Sequence, residues 1–280
     1  MNNSTVEPPD TEGISLEGRA SILHALQAGL VPKDGAHHIQ VGRKREVTAL
    51  LNEARRVAGG GASFRLLSAP VGAGKTFALA LQRRIALDLG LVVVDADITA
   101  DKRLHSTCGQ ARALFSGLVH SLATKDRPDG GGLRFLCDKW VAGVIAQAAE
   151  ADQSPDALQV RAKSSIESLA NLPGGYAFIE VLSQFCKARV TDDAELMNAA
   201  LRWLSAEYST KSDAAKALKV RDIITDGNIF DSLKLLAAFA RKAGYGGLFV
   251  CLDELVVLSH RLPSARARRA NYEALLTIIN

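Results

Sequence analysis

The chain alternates between two hydrophobic rhythms. From Glu17 to Gly29, Ala20, Ile22, Leu23 and Leu26 recur at helical spacing, and Gly29 is placed to cap the C-terminus. Residues 1–13 are polar and carry no period, which predicts a disordered tail. Residues 30–38 read as a loop; after Ile39-Gln40-Val41-Gly42-Arg43-Lys44-Arg45-Glu46 an amphipathic helix runs to about Ala58, and Gly59-Gly60-Gly61 form a flexible link. Two continuous apolar runs then break the helical period. Residues 64–68 (Phe-Arg-Leu-Leu-Ser) and 91–96 (Leu-Val-Val-Val-Asp-Ala) are expected as buried strands, with a helix over 77–85 between them and Gly90 as its stop. Strand, helix and strand make a right-handed βαβ unit. Residues 105–243 show helical patterns and no convincing strand, with candidate helices at 109–123, 133–149, 156–170, 175–188, 193–208, 212–218 and 229–243. Gly246-Gly247 leads into a third apolar run, 248–252, ending in Asp253-Glu254, and 265–280 reads as a helix.

A stretch as long as 105–243 exceeds any ordinary βα connection. The pattern therefore predicts an α/β protein whose parallel-sheet core spans 14–104 and 244–280, with 105–243 as a large helical insertion.

The most informative octapeptide is Ala69-Pro70-Val71-Gly72-Ala73-Gly74-Lys75-Thr76. It matches the phosphate-binding P-loop G-x-x-x-x-G-K-[ST] except that Ala69 stands at the first glycine. Backbone N–H groups of such a loop and the helix N-terminus behind it hold phosphate oxygens. Lys75 would reach the β- and γ-phosphates of ATP and Thr76 would ligate Mg²⁺; a chance glycine turn is the bland alternative. Asp253 and Glu254 sit where a buried strand ends, the place at which open α/β sheets bind ligands. Asp253 would hold Mg²⁺ as a Walker B aspartate and Glu254 would activate water as general base. The alternative is a strand-to-helix turn with an acidic cap.

Val41-Gly42-Arg43-Lys44-Arg45-Glu46 resembles the hhGRxxE box that precedes the P-loop in AAA+ ATPases. That resemblance implies that Val41, Gly42 and Arg43 lie against adenine and ribose. Asp95 and Asp97 end the second strand and are read as turn caps, with an approach to the magnesium or a nucleophile as the alternative; Arg103, Leu104 and His105 follow and could face the same cleft. His37-His38 lacks partner ligands and reads as loop. Arg261, Arg266, Arg268 and Arg269 form a basic cluster that reads as a solvated helix face, with a DNA-phosphate contact or an arginine finger acting in trans as the alternatives. Trp140 and Trp203 are too dispersed for a single-strand stacking platform.

Composition narrows this picture only a little. With 280 residues, 48% of them hydrophobic, a sizeable core is available. The net charge of +4 permits nucleic-acid contact without arguing for it. Cys108, Cys137, Cys186 and Cys251 have no metal-ligand spacing and read as reduced thiols, mostly core, of a cytoplasmic protein. No apolar run reaches about 18 residues, so no membrane span is expected.

Beyond the generic motifs, Gly109-Gln110-Ala111 after Arg103-Leu104-His105, Val220-Arg221-Asp222-Ile223-Ile224, the run from Leu233 to Phe239 and Leu252-Asp253-Glu254-Leu255 resemble one family. It is the P-loop ATP-binding protein of bacteriophage-exclusion (BREX) systems, of the BrxC/BrxD type and closer to the shorter BrxD, over roughly residues 15 to 280. The resemblance implies an AAA+-like (ASCE) ATPase of an antiphage locus that uses ATP and Mg²⁺. Its implied associates are other BREX products, such as the methyltransferase and the alkaline-phosphatase-like component; DNA and a homo-oligomer are further partners it allows. Against that pattern, only helix follows Glu254, so the sensor strands and the helical lid are expected to be missing from this chain. A non-hydrolysing ATP-dependent switch or scaffold and an initiator-like DNA-loading ATPase are the alternative functions.

Overall fold

Val92, Val93 and Val94 are fully buried, and the fold is built around them. They open β1 (Val92–Asp97), which pairs in parallel with β2 (Leu248–Asp253) in a register running from Val92 opposite Leu248 to Asp97 opposite Asp253. The ladder extends beyond both ends, since Val92 N–H donates to the Gly247 carbonyl (2.9 Å) and Ile98 N–H to that of Asp253 (3.0 Å). On its other edge β1 exchanges two hydrogen bonds with Ala123, Val93 N–H to Ala123 O at 2.9 Å and the reverse at 2.8 Å. Among the described residues of this computed structural model, 15–29, 31, 32, 35, 39, 44–148, 154–262 and 264–279, these two strands are the whole sheet. The expected tail 1–13, His37-His38, and Val41, Gly42 and Arg43 of the box lie outside the described residues.

The other elements among the described residues are helices. Before β1 come α1 (Leu16–Gln27), α2 (Lys44–Ala58) and α3 (Lys75–Asp88). Between the strands lie α4 (Gln110–His120), α5 (Leu133–Ala146), α6 (Pro155–Ser165), a 3-10 turn (Glu167–Asn171), α7 (Gly175–Thr191), α8 (Ala194–Leu204), α9 (Lys211–Leu218) and α10 (Ile229–Lys242). After β2 come α11 (Val256–His260) and α12 (Ala265–Ile279). The molecule is thus mostly helical α/β with a small parallel sheet, and the large helical stretch occupies the connection between the strands.

The expected strand over 64–68 does not form. Residues 61–70 make no ladder, and Phe64 and Leu66 stand 45% and 60% exposed. Both edges of β1 are taken, one by β2 and the other by the bridge to Ala123, and the run does not pair with the outer edge of β2, which has no partner among the described residues. What holds it is a forked ion pair to α2: Arg65 donates to both carboxylate oxygens of Glu53, at 2.6 and 3.1 Å. That hydrogen bonding holds the Glu53 carboxyl below its ordinary value. Helix limits also shift. The run read over 156–170 breaks at Ile166 (φ −119°) into the 3-10 turn, and the one read over 193–208 stops at Leu204 because buried Ala206 adopts a left-handed conformation (φ 57°) that lets Glu207 N–H cap Arg202 O at 2.9 Å.

One apolar cluster runs without a break from Val92 and Val94 through α4–α10 to Val257, Leu258, Leu262 and Ala274. Its centre is aromatic: Phe239 packs edge-on against Trp140 (5.5 Å between ring centroids) and Phe178 (6.0 Å), and Phe178 against Trp203 (6.3 Å). Each indole N–H finds an acceptor, Ser165 Oγ for Trp140 and Asp222 O for Trp203. At Gly175 a Cβ would stand 1.9 Å from Leu169 O, so this buried start of α7 admits no side chain against the 3-10 turn.

A single buried amide closes the fold. Asn271 of α12 is 0% exposed; its Oδ1 accepts His105 N–H (2.9 Å) and its Nδ2 donates to His105 O (3.2 Å) and Ala267 O (2.9 Å). This clamp joins residues 166 apart in the chain and ties the segment after β1 to the helix after β2. Asn271→Ala would leave the His105 N–H and C=O without these partners and cost about 2–3 kcal/mol. The expected readout is a lower denaturant midpoint with an unchanged m-value; an unchanged midpoint refutes the clamp.

Candidate nucleotide-binding site

Gly72 and Gly74 both have φ 82°, and Gly74 is the left-handed cap from which α3 starts. A Cβ at either would meet nothing within 4 Å, so the loop needs glycine there for its backbone conformation rather than for room. The space in front of the loop is open: Ala69, Pro70, Val71 and Gly72 are exposed, Val71 completely, while Ala73, Gly74 and Lys75 are half-buried and Thr76 is exposed. Lys75 begins α3 and folds back over the loop, its Nζ donating to the carbonyls of Ala69 (3.0 Å) and Pro70 (3.1 Å). Phosphate oxygens could take the place of those two carbonyls as acceptors for the Lys75 ammonium. No acidic side chain sits in the first turn of α3, so the unpaired N–H groups of its start face no competing anion of their own helix. The loop residues thus fit a nucleotide phosphate.

α3 packs against both β1 and β2. At the tips of those strands Asp97 and Asp253 face each other in register, roughly 5 Å apart between backbones. Asp253 Oδ1 accepts the N–H of Glu254 at 2.7 Å. Glu254 itself has φ 58°, a left-handed conformation that a branched or long side chain rarely adopts, and its carbonyl accepts Val257 N–H (3.0 Å) at the start of α11. The residue picked out as general base therefore stands on a strained corner between strand and helix, exposed, with its preceding carboxylate holding the corner in place.

Other expected residues go elsewhere. Asp95 is not a turn cap but the ion-pair partner of Arg83 on α3 (3.2 Å), and its own N–H donates to Ser121 Oγ (2.8 Å). Arg103 leans toward Gln110 Oε1 at the start of α4, and His105 contributes its backbone to the Asn271 clamp while its side chain is exposed. In the basic cluster Arg268 donates to Leu262 O (3.1 Å) and Arg269 pairs with Glu273 (2.9 Å), while Arg261 and Arg266 are exposed. Arg83, Ser121, Asn271 and Asp226, whose carboxylate accepts Gly109 and Arg112 N–H (2.6 and 2.8 Å) at the start of α4, escaped the sequence reading. Each acts across a long chain separation, and no local pattern marks such a residue.

Three of the four cysteines are core thiols as expected, but Cys108 is exposed. Burial, with Asp95 and Asp253 adding to it, pushes the Cys251 thiol up to about 12; burial alone takes Cys186 to about 11 and is the main cause of the upward shift at Cys137. Native protein at pH 8 is expected to label rapidly with a thiol reagent at Cys108 alone, and rapid labelling of Cys251 would contradict its placement. These thiols stay neutral in the fold while unfolded ones ionise near pH 8.5 to 9. Their contribution to stability is therefore full below that pH and is lost as pH rises toward 11 to 12. Glu254→Gly should relieve the left-handed strain and raise stability by about 1 kcal/mol, measured by denaturation, whereas Glu254→Gln should leave it unchanged.

Comparison with known proteins brings one match. The family model described as BREX system ATP-binding protein BrxC/D matches residues 14–280, and the chain belongs to that family. No curated protein and no solved structure matches it. No helix among the described residues is long and apolar enough to cross a membrane.

Proposed function

We propose that this BREX-system ATP-binding protein is an ATPase of the AAA+-like P-loop kind, nearer to BrxD, that couples MgATP binding and hydrolysis to the remodelling of a partner protein or of DNA. The observation that carries the reading is the join of two features: a glycine-shaped loop with Lys75 at the head of α3, and α3 packed on the two strands whose tips carry Asp97, Asp253 and Glu254. In this reading the backbone N–H groups of 69–76 cradle the phosphates and Lys75 exchanges the Ala69 and Pro70 carbonyls for β- and γ-phosphate oxygens. Thr76 and Asp253 would hold Mg²⁺, which supplies positive charge to the phosphates. Glu254 orients and deprotonates the attacking water, and its exposed corner leaves the carboxylate free to do so. Val41, Gly42 and Arg43 would contact the base and ribose. Other BREX proteins are the partners this reading names, with DNA and further copies of the chain beside them.

A second reading, an ATP-dependent switch or scaffold without turnover, draws support from the exposed, ladder-free run 61–70 that leads into the loop. Nucleotide could order that run without hydrolysis. Equilibrium binding of a fluorescent ATP analogue and phosphate release by the full chain separate the readings. For the ATPase, wild type turns over, Lys75→Ala weakens binding at least tenfold, and Glu254→Gln binds normally with phosphate release reduced about 100-fold or more. Binding without turnover in wild type selects the switch, and no binding by folded wild type refutes both.

A further inference from the structure

One side chain joins the helix that carries the nucleotide loop to the helical region, and neither the family match nor the site described above uses it. Arg83 lies about two turns along α3 from Lys75. Its Nε donates to Asp95 Oδ1 at 3.2 Å, and a terminal guanidinium nitrogen donates to the carbonyl of Pro128. Pro128 belongs to the connection between α4 and α5, residues 121–132, which behaves as a strap along the outer edge of β1. The strap is knitted to itself and to the strand: Val93 and Ala123 exchange hydrogen bonds, Thr124 and Arg127 do the same (3.1 and 3.0 Å), Gly131 N–H reaches His120 O (3.1 Å) and Gly132 N–H reaches Leu122 O (2.7 Å). At Gly132 a Cβ would lie 2.8 Å from Leu122 O, so this end of the strap is as close-packed as its backbone allows. Asp95 is held from behind by the same strap, because Ser121 Oγ accepts its N–H and donates in turn to Leu118 O (2.8 Å).

We propose that Arg83 is a positioning residue that transmits the state of the nucleotide-loop helix to the 121–132 strap, and through it to the helices the strap connects. The ion pair is too exposed, at 29% and 44% of the two side chains, to matter much for stability. Its value is geometric. A planar guanidinium satisfies two acceptors at once, one on β1 and one on the strap, and so fixes α3 against both. A lysine can reach Asp95 or Pro128 but does not hold the pair in a single plane. A shift of α3 on phosphate binding must therefore either carry the strap with it or break the fork. The tether is a property of the protein alone; the signal it carries rests on the nucleotide reading.

Hydrogen exchange followed by mass spectrometry on the full chain tests both parts, with wild type, Arg83→Ala, Arg83→Lys and Asp95→Asn each measured without nucleotide and with MgATP. Without nucleotide, Arg83→Ala is expected to speed exchange in 124–130 and in the last two turns of α3 at least fivefold, leaving α8 and α9 unchanged. Arg83→Lys should restore α3 more than the strap, and Asp95→Asn should loosen α3 with less effect on 124–130. Exchange in 124–130 equal in wild type and Arg83→Ala overturns the tether. With MgATP, wild type should gain at least threefold protection in 121–132 and Arg83→Ala should not, while its nucleotide affinity stays within about threefold of wild type. Nucleotide that binds wild type and leaves 121–132 unchanged overturns the transmission. If wild type binds no nucleotide, the functional reading fails, and the nucleotide-free comparison still decides the tether.

Discussion

A strand of consecutive valines is apolar on both of its faces, so it is stable only when both faces and both edges are covered. In this chain β1 is that strand, and each of its covers comes from a different stretch of sequence. β2 takes one edge and the 121–132 strap takes the other, while α3 and α4 pack against it. The apolar part of β1 decides where the polar part begins: the three valines give way to Asp95 and Asp97 where β2 gives way to Asp253. The proposed chemistry sits at that transition. The carboxylates at the strand tips are held by the same ladder that buries the valines.

The readable elements were those whose signal is local. β1, β2 and most helices announce themselves by periodicity, and the glycine-lysine-threonine turn by its spacing; the structure forms all of these within a few residues of the expected limits. The run 64–68 shows where such reading stops. Its composition is that of a strand, but a strand is a relation between two segments, and this one forms no ladder with either strand of the sheet. The roles of Asp95 and Asn271 were hidden for the same reason. Asp95 looks like a cap until Arg83 is placed beside it, and Asn271 looks like one more polar residue on α12 until the His105 backbone takes two of its three hydrogen bonds and the Ala267 carbonyl the third. The left-handed conformation of Glu254 had no signal at all, since glutamate is not a residue that prefers it.

That strained corner and the buried clamp answer each other. Glu254 stores unfavourable backbone energy at the end of β2, and α11 and α12 follow it directly. The Asn271 amide ties α12 back to the segment after β1, so the corner is braced from beyond rather than left to relax. A glutamate at this turn is consistent with a residue kept for what its carboxylate does. In the proposed ATPase reading, it is the position at which stability and chemistry ask for different side chains.

The parallel pairing of β1 with β2 also sets the order of events as the chain leaves the ribosome. All of α4–α10 must be synthesised between the two strands, so at ordinary elongation rates β1 waits roughly ten to thirty seconds for its partner. During that interval its valines would be an exposed, aggregation-prone edge. The strap reaches the other edge much sooner, since Ala123 follows Val93 after little more than one helix. The antiparallel bridge to Ala123 can thus shield the nascent strand as an internal chaperone, keeping one flank paired until Leu248–Asp253 arrives to complete the other.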